Sequence, residues 1–209
     1  MDLRTADGNT LEAEWVAPPA PIATVVLCHP HPQYGGTMRS IVISALFDAL
    51  PELGIACLRF NFRGVEGSSG EYSEGRDEPL DVAAALDAAA GAHRGGPLVL
   101  AGWSFGADMA LTTTDDRLAG WVGIAPPLRF RPAGVYDRVG RDPRPKLLEL
   151  AAHDEFRAPS EIEVETSSWV NARVETIAGA SHFFVGRTDR VVELTAEFVQ
   201  TLSRSAGTG

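Results

Sequence analysis

Residues 98–107 read LVLAGWSFGA. An apolar run climbs to Gly102, a lone hydroxyl at Ser104 stands two residues on, and Gly106 follows. A buried strand that passes into a helix through a sharp turn accounts for this order of residues. A serine at the tip of such a turn is held in a strained backbone conformation with its Oγ exposed. A Cβ two residues before or after it is expected to collide across the turn, which favours glycine at both places. The first turn of the following helix presents N–H groups toward any negative charge that develops there. By count alone the G-x-S-x-G pattern is weak, with about 0.1 chance matches in a chain of this composition. Its position between an apolar strand and a helix is what gives it weight.

Outward from that turn, short apolar runs alternate with helix-like stretches. Residues 11–17 (LEAEWVA) alternate as an edge or half-exposed strand. Residues 23–28 (ATVVLC) and 55–62 (IACLRFNF) read as buried strands. SIVISALFDAL (40–50) has helical spacing and stops at Pro51 and Gly54. After the Gly/Ser-rich loop RGVEGSSGEYSEG (63–75), EPLDVAAALDAAAGAH (78–93) is a helix with an acidic first turn. The strand at 97–103 leads into a helix from 105 to about 114. WVGIA (121–125), KLLELAA (146–152) and ARVETIA (172–178) are further strands, and TDRVVELTAEFVQTLS (188–203) is an amphipathic helix. This alternation predicts an α/β fold with a mostly parallel sheet, one domain over 1–209, and a flexible tail at 203–209.

A serine hydroxyl needs a base, and the base needs an orienting carboxylate. Folds that carry a serine on such a turn order the groups Ser, then Asp or Glu, then His. Two histidines follow Ser104. His182 lies in GASHFF just past a strand, at the carboxyl edge where ligands collect in open α/β sheets; His153 precedes its neighbouring acid and breaks the order. His182 is therefore the preferred base. Asp154 follows the strand 146–152 at the same edge and is the preferred acid, with adjacent Glu155 as the alternative. Neighbours in an extended segment point opposite ways, so one of the two is expected to face His182. Asp108 and Asp189 read as surface helix residues, and Asp137 and Asp142 as poorly placed.

Two further motifs, HPHPQYGGTM (29–38) and RFNFRG (59–64), are more specific than the serine turn. With them the chain resembles the α/β-hydrolase superfamily along nearly its whole length, and more narrowly its small bacterial serine hydrolases. The resemblance implies an α/β-hydrolase fold with a Ser104–Asp154–His182 triad. It also implies a second oxyanion donor in the loop after strand 23–28. Many relatives have His-Gly there, whereas this chain has His29-Pro30. Proline has no N–H, so the backbone donors are assigned to Phe105 and His31. The Tyr34 hydroxyl is a candidate substrate contact. An Asp often stands in relatives where this chain has Asn61, a position outside the triad.

Bulk composition limits the alternatives. The chain has 209 residues, is 44% apolar and 22% charged, and carries a formal charge of −10. That balance disfavours nucleic acid and anionic membranes as partners. No run approaches the ~20 apolar residues of a membrane helix, and the N-terminus lacks the apolar core of a signal peptide. These features, with Cys28 and Cys57 read as buried hydrophobes, predict a cytoplasmic protein. The abundance of Ala, Gly, Asp and Arg points to a GC-rich bacterium. The pair His29/His31 permits a metal reading, but a serine triad explains the loop without one, so no metal or cofactor is expected. RGVEGSSG lacks the G-K-[ST] ending of a phosphate loop and reads as a turn with Arg63 as a structural hydrogen-bonder. The interval Pro126–Pro145 is too polar for an apolar lid, which predicts an open site. Arg129 and Arg131 within it read as solvated, with contact to an anionic substrate as the alternative. The expected function is a carboxylesterase on small or soluble esters. Thioester or peptide cleavage by the same triad, or a binding module, are the alternatives.

Overall fold

The computed structural model describes residues 1–92 and 95–206. Its strands are β1 (Asp2–Arg4), β2 (Thr10–Val16), β3 (Ala23–Cys28), β4 (Ile55–Phe60), β5 (Leu98–Trp103), β6 (Leu118–Ile124), β7 (Lys146–Ala151) and β8 (Ala172–Ile177). Its α-helices are α1 (Ile41–Ala49), α2 (Glu78–Ala92), α3 (Phe105–Ala110), α4 (Ala133–Arg141), α5 (Pro159–Glu165) and α6 (Thr188–Ala206). The eight strands form one sheet in the order β1-β2-β4-β3-β5-β6-β7-β8. The pairs β1/β2 and β2/β4 are antiparallel and the remaining pairs are parallel.

The period of two in each central strand divides the core between the two faces of the sheet. In β3, Ala23, Val25 and Leu27 face α1 and α6, while Val26 and Cys28 face α2 and α3. In β5, Val99, Ala101 and Trp103 take the first face, Leu98 and Leu100 the second. Both faces are covered, so β3, β4, β5 and β7 are buried at every residue, as their unbroken apolar runs predict. Cys28 and Cys57 are free and lie on opposite faces, as small core side chains.

Several boundaries differ from the sequence reading. The strand at 10–16 is not an edge, because the three-residue β1 pairs outside it; β1 is too short to show any periodicity. Helix α3 ends at Ala110 rather than near 114. Helices α4 and α5 fall in stretches where the sequence reading places no element. The buried anchors of α4 are Tyr136 and Val139, three residues apart, and the surrounding Arg, Asp and Gly mask that short period. Helix α6 continues to Ala206, so residues 203–206, expected as tail, are helical, and Ser203 Oγ donates to Ile22 O at 3.1 Å. Residues 207–209 and His93 lie outside the described residues. Among the described residues no helix is long and apolar enough to cross a membrane.

The loop at 63–75 is tied down by carboxylates. Arg63 donates to Asp81 at 2.7 and 3.0 Å and to Asp7 at 2.9 Å. Glu78 accepts from Ser73 N–H at 2.7 Å and Gly75 N–H at 2.8 Å. The loop is the expected Arg63-centred turn, with acids where a phosphate loop would hold its anion.

Glu149 on β7 faces α6 and is fully buried. Thr195 donates to its Oε1 at 2.7 Å, and Oε2 has no partner among the described residues. Burial holds this carboxyl up at about 8, against an ordinary 4.5. A raised carboxyl in the fold means that the folded state keeps a proton the unfolded chain releases. Its contribution to stability is complete below pH 4.5, declines as pH rises toward 8, and then levels off. Glu149→Gln should therefore flatten the stability–pH profile over that window. Thermal melts of the two proteins across the range check this, and parallel profiles would count against it.

Candidate active site

Ser104 connects β5 to α3 with φ 55° and ψ −120°. This conformation costs a non-glycine residue roughly 1–3 kcal/mol. Its N–H donates to Ile124 O at 2.9 Å, which pins the turn to β6. A Cβ at Gly102 would sit 2.1 Å from Gly106 O, a clash across the turn as expected. A Cβ at Gly106 would instead meet Cys28 O at 2.2 Å. The second glycine is thus required by the close approach of α3 to the end of β3, not by the turn itself.

Ser104, His182 and Asp154 come together at the carboxyl ends of β5, β8 and β7. His182 Nε2 is 2.9 Å from Ser104 Oγ, and Nδ1 is 2.8 Å from Asp154 Oδ2. A carboxylate on Nδ1 assigns the ring hydrogen to that nitrogen and leaves Nε2 as acceptor for the serine O–H. Asp154 Oδ1 accepts from the N–H groups of Phe156 (2.9 Å) and Arg157 (3.2 Å), which orients the carboxylate. The histidine and aspartate side chains are only 7% and 5% exposed.

Glu155 also reaches His182, contrary to the expectation that one of the two acids would. Its Oε2 accepts the His182 backbone N–H at 3.2 Å. The chain turns after β7, so the alternation of an extended strand does not apply at 154–155. Trp103 Nε1 donates to His182 O at 3.0 Å, so both backbone groups of His182 are held. The Phe156 ring lies 4.6 Å from the imidazole. Sequence reasoning missed Trp103 and Phe156 as supports of this histidine, and read Glu155 only as the alternative to Asp154; the aromatic residues near Ser104 and Asp154 were the available signal. His153 is exposed, and among the described residues Ser104 Oγ is hydrogen-bonded to His182 and not to it.

The loop after β3 carries two histidines with different tasks. His29 is buried, and its Nε2 accepts Phe62 N–H at 3.0 Å while Nδ1 faces Pro30 O at 2.6 Å. Burial lowers this imidazole to about 3, which keeps it a neutral strap between β3 and the loop after β4. His31 Nδ1 accepts Gln33 N–H at 3.2 Å and its Nε2 lies 3.0 Å from Tyr72 Oη. Both nitrogens of each ring already have protein partners. Asn61, fully buried, accepts Met38 N–H at 2.8 Å and donates to Glu12 and Glu66, so it fixes the far end of the same loop. The backbone N–H groups of His31 and Phe105 have no acceptor among the described residues.

Ser104 and His182 open into a cavity of about 510 Å³. Its walls are largely aromatic, with Trp103, Phe130, Phe156, Phe183 and Tyr34. Tyr34 is 87% exposed and stands at the rim. One wall comes from Arg129 and Phe130, and the residue that secures it was read as a surface aspartate. Asp108 is fully buried. Its carboxylate accepts the N–H groups of Leu128 (2.8 Å), Arg129 (2.8 Å) and Phe130 (2.9 Å), and the Tyr136 hydroxyl (2.8 Å). Long-range backbone donors cannot be read from spacing; the one sequence signal was a single acid within the otherwise apolar FGADMA. Asp189, by contrast, is exposed as expected. Asp108→Ala leaves three backbone N–H groups and a phenol without their acceptor. A loss of about 3–5 kcal/mol in stability is expected, to be measured by denaturant unfolding; a loss below about 1 kcal/mol would show that water replaces the carboxylate.

A mostly parallel sheet with a strained serine on the turn after its central strand, and a histidine–carboxylate pair supplied by later strand ends, defines a hydrolase of the α/β class. No protein-family model matches the chain. A solved α/β serine hydrolase homologue from Coxiella burnetii is 30% identical, covers 95% of this chain and 96% of its own, and superposes with a TM-score of 0.85. An α/β serine hydrolase without a lid from Xanthomonas campestris is 27% identical over 96% of this chain and 93% of its own, with a TM-score of 0.82. An uncharacterised protein of Rickettsia prowazekii (strain Madrid E) is 29% identical over 203 residues, 91% of this chain and 83% of that protein. The chain belongs to the α/β-hydrolase superfamily. The segment between β6 and β7 agrees with a minimal lid: Leu128, Tyr136 and Val139 pack into the core beside the sheet.

Proposed function

We propose that this hydrolase is a serine carboxylesterase acting on small esters, with Ser104 as nucleophile, His182 as base and Asp154 as its orienting acid. The observation that carries the reading is the pair of hydrogen bonds Ser104–His182–Asp154, at 2.9 and 2.8 Å, on a strained serine that opens into an apolar cavity. Ser104 Oγ attacks the ester carbonyl as its proton passes to His182 Nε2, and Asp154 stabilises the imidazolium. The N–H groups of Phe105 and His31 receive the oxyanion, each contributing roughly 3 kcal/mol in the transition state. Collapse expels the alcohol, which takes the proton from His182. Water, activated by the same histidine, then attacks the acyl-enzyme and releases the carboxylic acid and Ser104. No step requires a metal or an organic cofactor. Tyr34, at the rim, serves as a substrate contact. Two unpaired thiols suit a reducing compartment, which supports a cytoplasmic location.

The test is reaction with a fluorophosphonate probe together with turnover of p-nitrophenyl acetate, an acyl thioester and a peptide anilide. Labelling with ester turnover in excess of the other two supports the reading. Absence of labelling would remove Ser104 as an activated nucleophile. Labelling with faster thioester or anilide cleavage would move the assignment to a thioesterase or a peptidase.

A further inference from the structure

The chain is acidic, at −10, and many of its arginines lie against carboxylates: Arg39, Arg59, Arg63, Arg117, Arg144 and Arg157 are all so paired. Arg129 is different. It is exposed, and its guanidinium has no hydrogen bond or ion pair among the described residues. Its one contact of note is the Phe130 ring, 5.3 Å away. Among the described residues it is also the only Asp, Glu, Lys or Arg lining the cavity above Ser104. Its charge acts on the neighbouring His31, which burial and then Arg129 hold below the ordinary imidazole range.

This placement is built. The three N–H groups at 128–130 converge on Asp108, which lies one helical turn after Ser104. Leu128 adopts φ 51° to allow it, a conformation that a branched side chain rarely takes. Arg131, two residues on, turns the other way and gives its guanidinium to the carbonyls of Gly75 and Arg76. The backbone thus commits a buried carboxylate and a strained residue to the segment that sets one unpaired cation in an otherwise uncharged, aromatic wall. An anion reaching that wall meets a positive guanidinium and no competing carboxylate. A planar guanidinium suits a carboxylate, which it can bind through two parallel hydrogen bonds.

Resting on the esterase reading above, we propose that Arg129 is a specificity-determining residue that binds a carboxylate carried by the substrate away from its scissile bond. The preferred substrates are then small esters bearing a free carboxylate, such as half-esters of short dicarboxylic acids. Two matched pairs test this. Mono-4-nitrophenyl adipate against its methyl ester places the carboxylate on the acyl side. 4-Acetoxybenzoate against its methyl ester places it on the leaving group. In at least one pair the wild type should favour the free acid by about tenfold or more in kcat/KM, chiefly through KM. Arg129→Gln should abolish that preference, Arg129→Lys should restore part of it, and Arg138→Gln, an equal charge change at an exposed position of α4, should keep it. The preference should shrink between about 0.02 M and about 0.5 M NaCl. Hydrolysis of the methyl esters with no preference in either pair, or a preference that survives Arg129→Gln, would overturn this inference alone. No hydrolysis of any of the four esters would overturn the esterase reading and this inference with it.

Discussion

Ser104→Ala is expected to lower kcat for ester hydrolysis by about 10³-fold or more and to abolish fluorophosphonate labelling. In the proposed mechanism the hydroxyl is the atom that bonds to the acyl group, and among the described residues no other hydroxyl is hydrogen-bonded to the His182 ring. Residual turnover should reflect the oxyanion donors and the cavity alone, with water as the attacking group. Stability should change little, because alanine at 104 suffers the same positive φ and loses only one hydrogen bond, which is worth about 1 kcal/mol. Chemical denaturation of both proteins separates the two effects. Activity within tenfold of the wild type would place the nucleophile elsewhere.

Asp154→Asn should cost about 10³–10⁴-fold in kcat, whereas Glu155→Gln should cost no more than a few fold. The two carboxylates touch the same histidine but at different atoms. Asp154 accepts from the ring Nδ1, so an amide in its place offers an N–H where an acceptor is needed and drives the imidazole to the tautomer that cannot take the serine proton. Glu155 accepts from the backbone N–H of His182, and a glutamine oxygen can still do so. Steady-state kinetics on the two variants, with KM followed alongside kcat, read the difference. The reverse ranking would make Glu155 the orienting acid.

Much of this arrangement was legible in the residues. The strands β3, β4, β5 and β7 are unbroken apolar runs because both sheet faces are covered. Ser104, Asp154 and His182 each follow a strand, so the parallel sheet carries all three to one edge. What escaped was the set of contacts made by residues whose local pattern says something else. Asp108 looks like a helix surface residue from its own neighbours, since its four donors come from residues 128–136. Trp103 reads as the variable position of a G-x-S-x-G motif, yet its indole holds the His182 carbonyl. Helix α4 was hidden because two buried side chains suffice to seat it against the core, too few to set a period.

The sequence by itself determined the α/β class, the strand-to-helix turn at Ser104 and the placing of Ser104, Asp154 and His182 each after a strand, because apolar period and glycine placement are local properties. Only the tertiary structure decided that Asp154 meets the imidazole while Glu155 meets the backbone, that Gly106 is required by β3, and that Arg129 rather than Arg131 faces the cavity. Each depends on which groups the fold brings within about 3 Å across long stretches of chain, and hydrogen bonding over that distance leaves no periodic trace in the order of residues.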